Sequence, residues 1–287
     1  MTAAFQRLGH EVRHIGNPMG HSIWGMEVDA RHEWTPDLLD GVWTPDLKIV
    51  LDSDPGILNA FHHWTADAPV VYGVDNHVRE YRRPHLTHYF LAHHDGHAQP
   101  VRKPDESWLP CGYDPTLHTP SPIPYLDRQY DVAMIGVMYN HRRAVLNELR
   151  AAGLKVLAGT GLLYEDYVNA YHNARISLCL SFNGDVAQRV FETAAMGNMV
   201  ISDDCDDYPR LRPRGLHSAP QRFLVDRVRM FVADAIHAQD CITESLEWVK
   251  IHTWDNRASQ ISQWVEAHTE GILGAGKVGE AFYATTE

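Results

Sequence analysis

The residues with the clearest chemical potential lie in the run RVFETAAMG, residues 189–197, in the second half of the chain. Arg189 and Glu192 have the spacing of neighbours on one face of a helix. A guanidinium forms charge-assisted bidentate bonds with anions, and a carboxylate accepts hydrogen bonds from two hydroxyl groups at once. The small residues after Glu192 are typical of close packing at a ligand, so we predict a binding site here rather than a solvated helix glutamate.

The same region is suited to anions. We expect a helix over residues 186–196, and the first N–H groups of a helix, together with its dipole, favour negative charge. Arg189 lies one turn into that helix. After the glycine turn at Gly136, Arg142 or Arg143 supplies a second guanidinium; the alternative for either of them is a solvated surface position.

Two neighbouring loops carry further polar groups. Asn183 and Asp185 flank a glycine between a predicted strand and the helix, where Asp185 either contacts the ligand or caps the helix. Thr160 and Tyr164 follow the end of another predicted strand. Ligands of α/β sheets bind at the carboxyl ends of strands, so all four residues are candidates for ligand contacts.

Acidic residues that end strands in the first half are candidates for a general base. Asp52 and Asp75 each follow an apolar run, which places their carboxylates at the carboxyl edge of a sheet. An inverting group transfer needs one base within hydrogen-bond reach of the attacking hydroxyl. Asp75 is the first candidate, with Asp52 and His77 next; the alternative for a strand-end aspartate is that it only caps a following element.

The elements that position these residues alternate between strands and helices. Short apolar runs predict strands, and a spacing of three to four residues predicts helices. In the second half, the expected strands are residues 130–136, 154–158, 176–181 and 199–202, and the expected helices are residues 140–152, 165–172 and 186–196. This alternation is typical of βαβ units with a parallel sheet.

The first half repeats this pattern less regularly. Its expected strands are residues 11–15, 47–51, 70–74, 89–92 and 108–110, its expected helices are residues 3–8 and 55–64, and two more helices are expected within residues 243–268. Proline-rich residues 110–124 predict an extended connector. We therefore expect a domain over residues 1–124 with a linker at 110–128, and a second domain over residues 129–287 that includes the C-terminal helices.

Composition narrows the classes of function. The net charge of −12 disfavours a general polyanion binder, although local patches at Arg79, Arg82 and Arg83 or at Arg210, Arg212 and Arg214 remain open. The four cysteines have no CxxC spacing, which favours reduced thiols.

The 19 histidines are densest between residues 85 and 97 but match no standard metal pattern, so we expect exposed loop positions or polar lining of an acceptor site. A signal pattern and a long apolar run are both lacking, which favours a cytoplasmic protein without a membrane partner.

Several landmarks of a known family occur in order along the chain. RVFETAAMGNMVISDD (residues 189–204) resembles the donor-site segment of the group-1 glycosyltransferases, specifically the branch akin to the spore-maturation protein CgeB. The other similar segments are PDLKIVLDS (45–53), VVYGVDN (70–76), WLPCGYDPTLHTP (108–120), YDVAMIG (130–136) and HTWDNRASQI (252–261). The likeness covers most of the chain. Family members open with a further strand, so we expect a shortened first domain that lacks it.

The resemblance implies an α/β GT-B fold, with two Rossmann-like domains and the sugar donor on the second. It implies that Glu192 binds the ribose diol, that Arg189 and Arg142 or Arg143 bind the diphosphate, and that the loop with Thr160 and Tyr164 holds the base. The aspartates at residues 203–207 are then expected to be loop and capping residues, because GT-B enzymes need no metal-binding DxD motif. No cofactor and no metal are expected beyond the nucleotide-sugar co-substrate.

The expected reaction is transfer of a sugar from a donor, with UDP favoured over GDP or TDP, to an acceptor hydroxyl. The acceptor is a glycan, a protein, a small molecule or, disfavoured by the charge, a hydroxymethylated base in viral DNA. The alternative is a non-catalytic relative that binds a nucleotide or a partner. A nucleotide-sugar epimerase or a dehydrogenase is unlike this chain, because the glycine cluster G-x-G-x-x-G after a first strand is absent.

Overall fold

The computed structural model describes residues 1–12, 22–23, 26–27, 47–51, 70–82 and 88–272. The chain divides into two compact units: unit 1 consists of Met1–Pro110 with Asp255–Glu287, and unit 2 of Cys111–Trp254. Asp52 and the helix predicted over residues 55–64 lie outside the described residues, as does most of the strand predicted over residues 11–15.

Unit 1 is built on a parallel sheet. Helix α1 (Thr2–Arg7) and a short antiparallel pair, β1 (Ser22–Ile23) and β2 (Met26–Glu27), come first. The sheet then consists of β3 (Ile49–Leu51), β4 (Val70–Gly73), β5 (His88–Leu91) and β6 (Glu106–Trp108), adjacent in that order. The strands predicted over residues 47–51, 70–74 and 89–92 are therefore confirmed, and β6 begins before the predicted residues 108–110. The strand predicted over residues 11–15 stays a prediction, because most of it lies outside the described residues.

The burial of β4 explains its sequence. Val70 and Val71 are fully buried, as the strands of a parallel sheet covered on both faces require. Gly73 faces the ring of Tyr81, where an added Cβ would lie 2.6 Å from ring carbons. Tyr81 in turn accepts a hydrogen bond from the backbone N–H of Asp75 at 3.1 Å. Close packing of this tyrosine therefore holds the turn that follows β4.

Unit 2 contains the regular βαβ pattern. Its strands are β7 (Tyr130–Ile135), β8 (Val156–Gly159), β9 (Ala174–Cys179), β10 (Met199–Ser202) and β11 (His217–Ser218), and its helices are α2 (Asn140–Ala151), α3 (Tyr164–His172), α4 (Arg189–Ala195), α5 (Tyr208–Leu211), α6 (Leu224–Ala233) and α7 (Ala235–Val249). Short 3-10 turns occur at Tyr125–Asp127 and Gln221–Phe223. The strands form one parallel sheet in the order β11-β10-β9-β7-β8.

Alternate residues of β7 face the two layers of helices that cover this sheet. Val132 and Met134 join the apolar cluster that includes Leu149 of α2. Ala133 and Ile135 instead join a cluster with residues of α3. Both faces are thus apolar, which is why β7 has the continuous apolar sequence predicted for a buried strand. All four cysteines of the chain are free thiols and buried, as expected.

The last helix, α8 (Trp254–Ile272), is where the structure departs from the expected domain boundary. From Asp255 onward it belongs to unit 1, whereas the sequence suggested the second domain. The indole of Trp264 stacks on His88 of β5 with ring centroids 4.1 Å apart, and Arg257 donates to the Pro110 carbonyl oxygen at 2.7 Å. Arg7 of α1 pairs with Asp255 at 2.6 Å. Contacts with residues distant in sequence therefore decide where α8 packs.

The proline-rich segment also differs from a free connector. Residues from Cys111 onward belong to unit 2. Ser121 donates its backbone N–H to the Met196 carbonyl oxygen at 3.0 Å and its hydroxyl to the His172 carbonyl oxygen at 3.0 Å. The prolines keep this segment extended, and hydrogen bonds fasten it to α3 and to the residue after α4.

Among the helices of the described residues, none combines the length and the apolar character that crossing a membrane requires.

His88 makes the stability of unit 1 dependent on pH. Burial lowers the pKa of His88 to about 4, against partial compensation from Asp105. In the unfolded chain a histidine takes up a proton near pH 6.5. The unfolded state therefore binds more protons between about pH 6.5 and pH 4, and this contribution to stability is lost as the pH falls through that window.

We expect His88→Phe, which keeps an aromatic ring against Trp264 but cannot titrate, to lose less stability than the wild type between pH 7 and pH 4.5. Urea midpoints across that range measure the difference. His97→Phe, at an exposed position in the same segment, is the matched control. Parallel curves for wild type and His88→Phe would contradict the assignment.

Candidate functional site

Helix α4 presents Arg189 and Glu192 while its other face is buried. Val190 and Phe191 are buried, and the Phe191 ring stacks on Trp248 of α7 with centroids 5.7 Å apart. After the helix, the buried Asn198 donates to the carbonyl oxygens of Tyr171 and Ala174 at 2.9 and 2.7 Å. Apolar packing on one face and this amide at the C-terminal end fix the orientation of the polar face.

Glu192 is neither in bulk solvent nor in an apolar interior. Its side chain is 12% exposed. The Tyr167 hydroxyl donates to Oε2 at 2.7 Å, and Gln188 Nε2 donates to Oε1 at 2.6 Å. His118 Nε2 lies 3.8 Å from Oε1. Burial, followed by the charge of Glu192, raises the pKa of Tyr167 well above its usual value, which keeps its hydroxyl protonated as a donor.

Arg189 lies against the glycine turn that ends β7. A Cβ added at Gly136 would lie 2.5 Å from Arg189 Nη2, and Gly136 has φ +148°. Nη1 of Arg189 is buried and has no hydrogen-bond partner among the described residues. A buried guanidinium N–H without a partner is costly. The geometry is therefore suited to an anion that accepts this bond.

Of the two arginines proposed beside it, the structure brings Arg142 close and leaves Arg143 exposed. Arg142 donates through Nη1 to the Val137 carbonyl oxygen at 2.9 Å and through Nη2 to the Leu180 carbonyl oxygen at 2.5 Å. Its guanidinium also lies over the Tyr139 ring, 4.9 Å from the centroid. Burial and then the charge of Arg189 lower the pKa of Arg142. Arg142 thus joins the loops after β7 and β9.

The turn before α4 corrects two expectations. The helix begins at Arg189, not at residue 186, so Arg189 is its first residue rather than one turn in. Asp185 is not the N-cap, because that position is Gln188. The Asp185 carboxylate instead accepts the backbone N–H of Phe182. Asn183 and Gly184 make the turn possible with φ values of +62° and +73°.

Asp203 has a positioning role that the sequence did not reveal. Its carboxylate accepts the backbone N–H of Ser181 at 2.8 Å and the Ser181 hydroxyl at 2.9 Å. Burial raises the pKa of Asp203, against these hydrogen bonds. His141 donates its ring Nε2–H to the Ser181 carbonyl oxygen at 3.1 Å. Asp203 therefore ties the end of β9 to the end of β10.

Thr160 and Tyr164 follow β8, the strand beside β7 in the sheet. Both residues are exposed, and Tyr164 has φ +49° at the start of α3. They lie at the same edge of the sheet as the Gly136 turn, because the two strands are parallel. The structure therefore places this loop at the carboxyl edge of the sheet, next to the Gly136 turn.

On unit 1, Asp75 and His77 lie in the turn after β4. The Asp75 side chain is 32% exposed, and its Oδ2 is 3.4 Å from Arg79 Nη1. The Asp75 carbonyl oxygen accepts the N–H groups of Val78 and Arg79, so the residue opens a turn. His77 is buried, with its ring edge-on to His93 at 4.9 Å. The carboxylate is thus the more accessible of the two groups.

Asn76, between these two residues, holds the loops together. It is fully buried, and its amide donates to the carbonyl oxygens of His93 and Gln99 at 2.6 and 2.8 Å. Its Oδ1 accepts the His93 N–H at 2.9 Å. His88 and His93 are both buried, so the expectation of exposed loop positions is wrong for them. These two rings are part of the packing of unit 1.

Residues 124–263 match the sequence model of a family described as "Glycosyl transferase-like". The matched range includes Gly136, Arg142, Arg189 and Glu192. No curated protein matches this chain.

Solved structures of known proteins are similar to this chain in fold. HepE of Anabaena in complex with UDP-glucose has a TM-score of 0.61 at 11% identity, covering 76% of this chain and 78% of that chain. AviGT4, a glycosyltransferase involved in avilamycin A biosynthesis, has a TM-score of 0.51 at 14% identity, covering 76% of this chain and 82% of its own. Sucrose-phosphate synthase from Thermosynechococcus elongatus has a TM-score of 0.47 at 14% identity, covering 76% of this chain, which spans 62% of its length.

The fold is GT-B, with two α/β units that each contain a parallel sheet, as the sequence predicted. The match over residues 124–263 agrees with the predicted resemblance to glycosyltransferases. Tyr167, Gln188 and His118 were not identified from the sequence. For Gln188, the helical spacing from Glu192 was a signal in the sequence. Tyr167 and His118 reach Glu192 from other parts of the chain, so local spacing does not reveal them.

Gly136→Ala tests the close approach of Arg189. The variant should lower the free energy of unfolding by about 1–3 kcal/mol, because the added Cβ meets Arg189 and the backbone has an unfavourable φ. Gly153→Ala is the matched control, since its φ of +83° is also unfavourable but nothing lies within 4 Å of the added Cβ. In the double variant Gly136→Ala/Arg189→Ala the effects should not add. Equal costs for the two single glycine variants would contradict the close approach.

Proposed function

We propose that this protein transfers a sugar from a nucleoside-diphosphate donor to an acceptor hydroxyl, and that unit 2 holds the donor. The observation that carries the proposal is the partly buried Glu192 carboxylate one helical turn from Arg189, whose buried Nη1 has no partner among the described residues. Both residues lie in the range matched by the glycosyl transferase-like family. A UDP-linked donor is favoured, because HepE, which shares the fold, is in complex with UDP-glucose.

Glu192 is suited to a ribose diol because its neighbours leave part of its bonding capacity open. An ionised carboxylate has about four acceptor sites. Tyr167 uses one on Oε2 and Gln188 uses one on Oε1. One site on each oxygen remains, which is the number that two adjacent hydroxyl groups require. Tyr167 and Gln188 would thus hold the carboxylate in the orientation needed for a bidentate contact.

Arg189 is suited to the diphosphate and to its departure. The sugar leaves a nucleoside diphosphate whose negative charge grows in the transition state, and a fixed guanidinium stabilises that charge more than the ground state. Arg142 adds positive charge nearby and holds the loop after Gly136 in place. We propose that these guanidinium groups do the work of a divalent cation, so that the transfer is metal-independent.

For the acceptor side, we propose Asp75 as the base of an inverting transfer. Its carboxylate is partly exposed and follows a strand, whereas the ring of His77 is packed against His93. Asp52 lies outside the described residues and stays a prediction. The acceptor is proposed to be a glycan, a protein or a small molecule, since the net charge of −12 disfavours duplex DNA. Membership of the CgeB-like branch is part of the same proposal.

Glu192→Gln tests the ribose contact. It should weaken the binding of UDP and UDP-glucose by about 10–100-fold, because a hydrogen bond to a charged acceptor contributes roughly 1.5–3 kcal/mol. Slow hydrolysis of UDP-glucose should fall as well. Titration calorimetry and release of UDP measure these effects. Glu148→Gln, on the exposed face of α2, is the control.

Two outcomes would contradict different parts of the proposal, the sugar transfer and the role of Glu192. A wild type that binds UDP tightly but turns over none of the UDP-, GDP- or TDP-sugars would favour a non-catalytic nucleotide binder. A Glu192→Gln variant that binds UDP as tightly as the wild type would remove Glu192 from the site.

Arg189→Lys separates the diphosphate contact from the base and ribose contacts. Lysine keeps the charge but lacks the planar fork of donors. We expect the affinity for UDP to fall about tenfold or more while the weak affinity for uridine changes little. Arg143→Lys, at the exposed neighbour of Arg142, should leave both affinities unchanged. Equal losses for UDP and uridine would show that Arg189 supports the fold of the site rather than the phosphates.

A further inference from the structure

Three metal-ligating side chains converge at one edge of unit 2, apart from the residues proposed for the donor. His217 lies on the edge strand β11, and His237 and Cys241 lie one turn apart on α7. Their ligand atoms all lie within 4.8 Å of one another. Cys241 Sγ and His217 Nε2 are 3.5 Å apart. We propose that His217, His237 and Cys241 form a binding site for a transition-metal cation of the zinc type.

The distances fit such a cation. With Zn–S near 2.3 Å and Zn–N near 2.0–2.1 Å, tetrahedral angles place sulfur and nitrogen ligands about 3.5 Å apart. The Cys241–His217 pair already has that separation. His237 is exposed and its ligand atom lies within 4.8 Å of the other two, so a small movement of its side chain brings it to the same point. A thiolate with two imidazoles suits zinc, cobalt or copper and is unsuited to magnesium or calcium.

The surroundings orient these ligands. Phe231 of α6 is fully buried and contacts both rings, stacked on His237 at 5.1 Å and edge-on to His217 at 4.6 Å between centroids. Asp234 accepts the His237 backbone N–H at 3.0 Å and so caps the first turn of α7. The two histidines and the cysteine are therefore held near one another by the apolar core and by the helix start.

The local charge favours a cation on the cysteine side. Asp240 and Glu244 flank Cys241 on α7 and act on it electrostatically. Near His217, the negative charge of Glu244 favours a bound cation, whereas the positive charge of Arg227 opposes it. Three protein ligands leave one tetrahedral position at the solvent-exposed side of the cluster for water or a carboxylate. A bound cation would tie the edge strand β11 to α7 and stabilise unit 2.

The alternative is an ordinary thiol–imidazole hydrogen bond between Cys241 and His217, which does not need His237. The test uses the full chain without a histidine tag, treated with a chelator and then titrated with Co²⁺ and Zn²⁺. We expect one equivalent of Co²⁺ to produce a thiolate-to-cobalt charge-transfer band in the near ultraviolet, which Zn²⁺ then abolishes. Zn²⁺ should also raise the Tm of the wild type.

Variants assign the ligands. Cys241→Ser should abolish the band, and His237→Ala should weaken the binding of Co²⁺ by more than about tenfold and remove the rise in Tm. Cys111→Ser, a buried cysteine outside the cluster, should keep the band. Absence of Co²⁺ binding, binding without the band, or a band unchanged in His237→Ala would each overturn the proposal. If Cys241→Ser does not fold, His237→Ala decides, because the histidine ring is exposed.

Discussion

The buried guanidinium of Arg189 is the constraint on which the proposed donor site depends. A charge in this position is costly unless it is paired or bonded, and its Nη1 has no partner among the described residues. The chain accommodates it by giving up a side chain at Gly136 and by placing Glu192 one turn away. Arg142, which acts on Arg189 with like charge, is bonded to the Val137 and Leu180 carbonyl oxygens. A buried Nη1 without a hydrogen-bond partner does not stabilise the fold, whereas an anion-binding site needs such a donor.

Hydrogen bonds from polar side chains hold the ends of the strands around these charges. Asp203 fastens the end of β9, and Asn198 fastens the residues after α4 to the C-terminal end of α3 and the start of β9. Arg128 adds bonds from its Nη1 to the Ala174 and Gly197 carbonyl oxygens at 3.1 and 2.9 Å. The Asn198 and Arg128 bonds pair carbonyl oxygens in the last turn of α3, at the start of β9 and after α4. Helix α4 has only seven residues, and its position therefore follows from these contacts and from Phe191 more than from its own propensity.

The sequence was sufficient for features that local pattern determines. Strands β4, β7 and β10 were predicted because parallel strands buried on both faces are apolar throughout, and the position of Glu192 on a helix followed from its spacing. The predicted start of α4 was wrong, because the Asp185 carboxylate accepts the Phe182 N–H instead of capping the helix. Contacts from distant segments carry no local signal: Tyr167 and His118 reach Glu192 from α3 and from the proline-rich segment, and α8 returns to unit 1 through Trp264. The short α5, all of α6 and residues 235–242 of α7 also lay outside the predicted elements.

The acidic composition is compatible with an anionic donor. The net charge acts over long distances, whereas the proposed binding residues act at contact distance. Salt screens exposed charges beyond about 8 Å at physiological ionic strength, so most of the carboxylates that produce the net charge of −12 act weakly on a ligand bound elsewhere on the surface. A buried guanidinium acts at contact distance, where water screens it little. In the proposed site, Glu192 would tolerate nearby phosphates because Tyr167 and Gln188 stabilise its charge through hydrogen bonds. In the proposed site, a few partly buried groups would recognise the donor, whereas the overall charge governs the long-range approach of polyanions such as DNA.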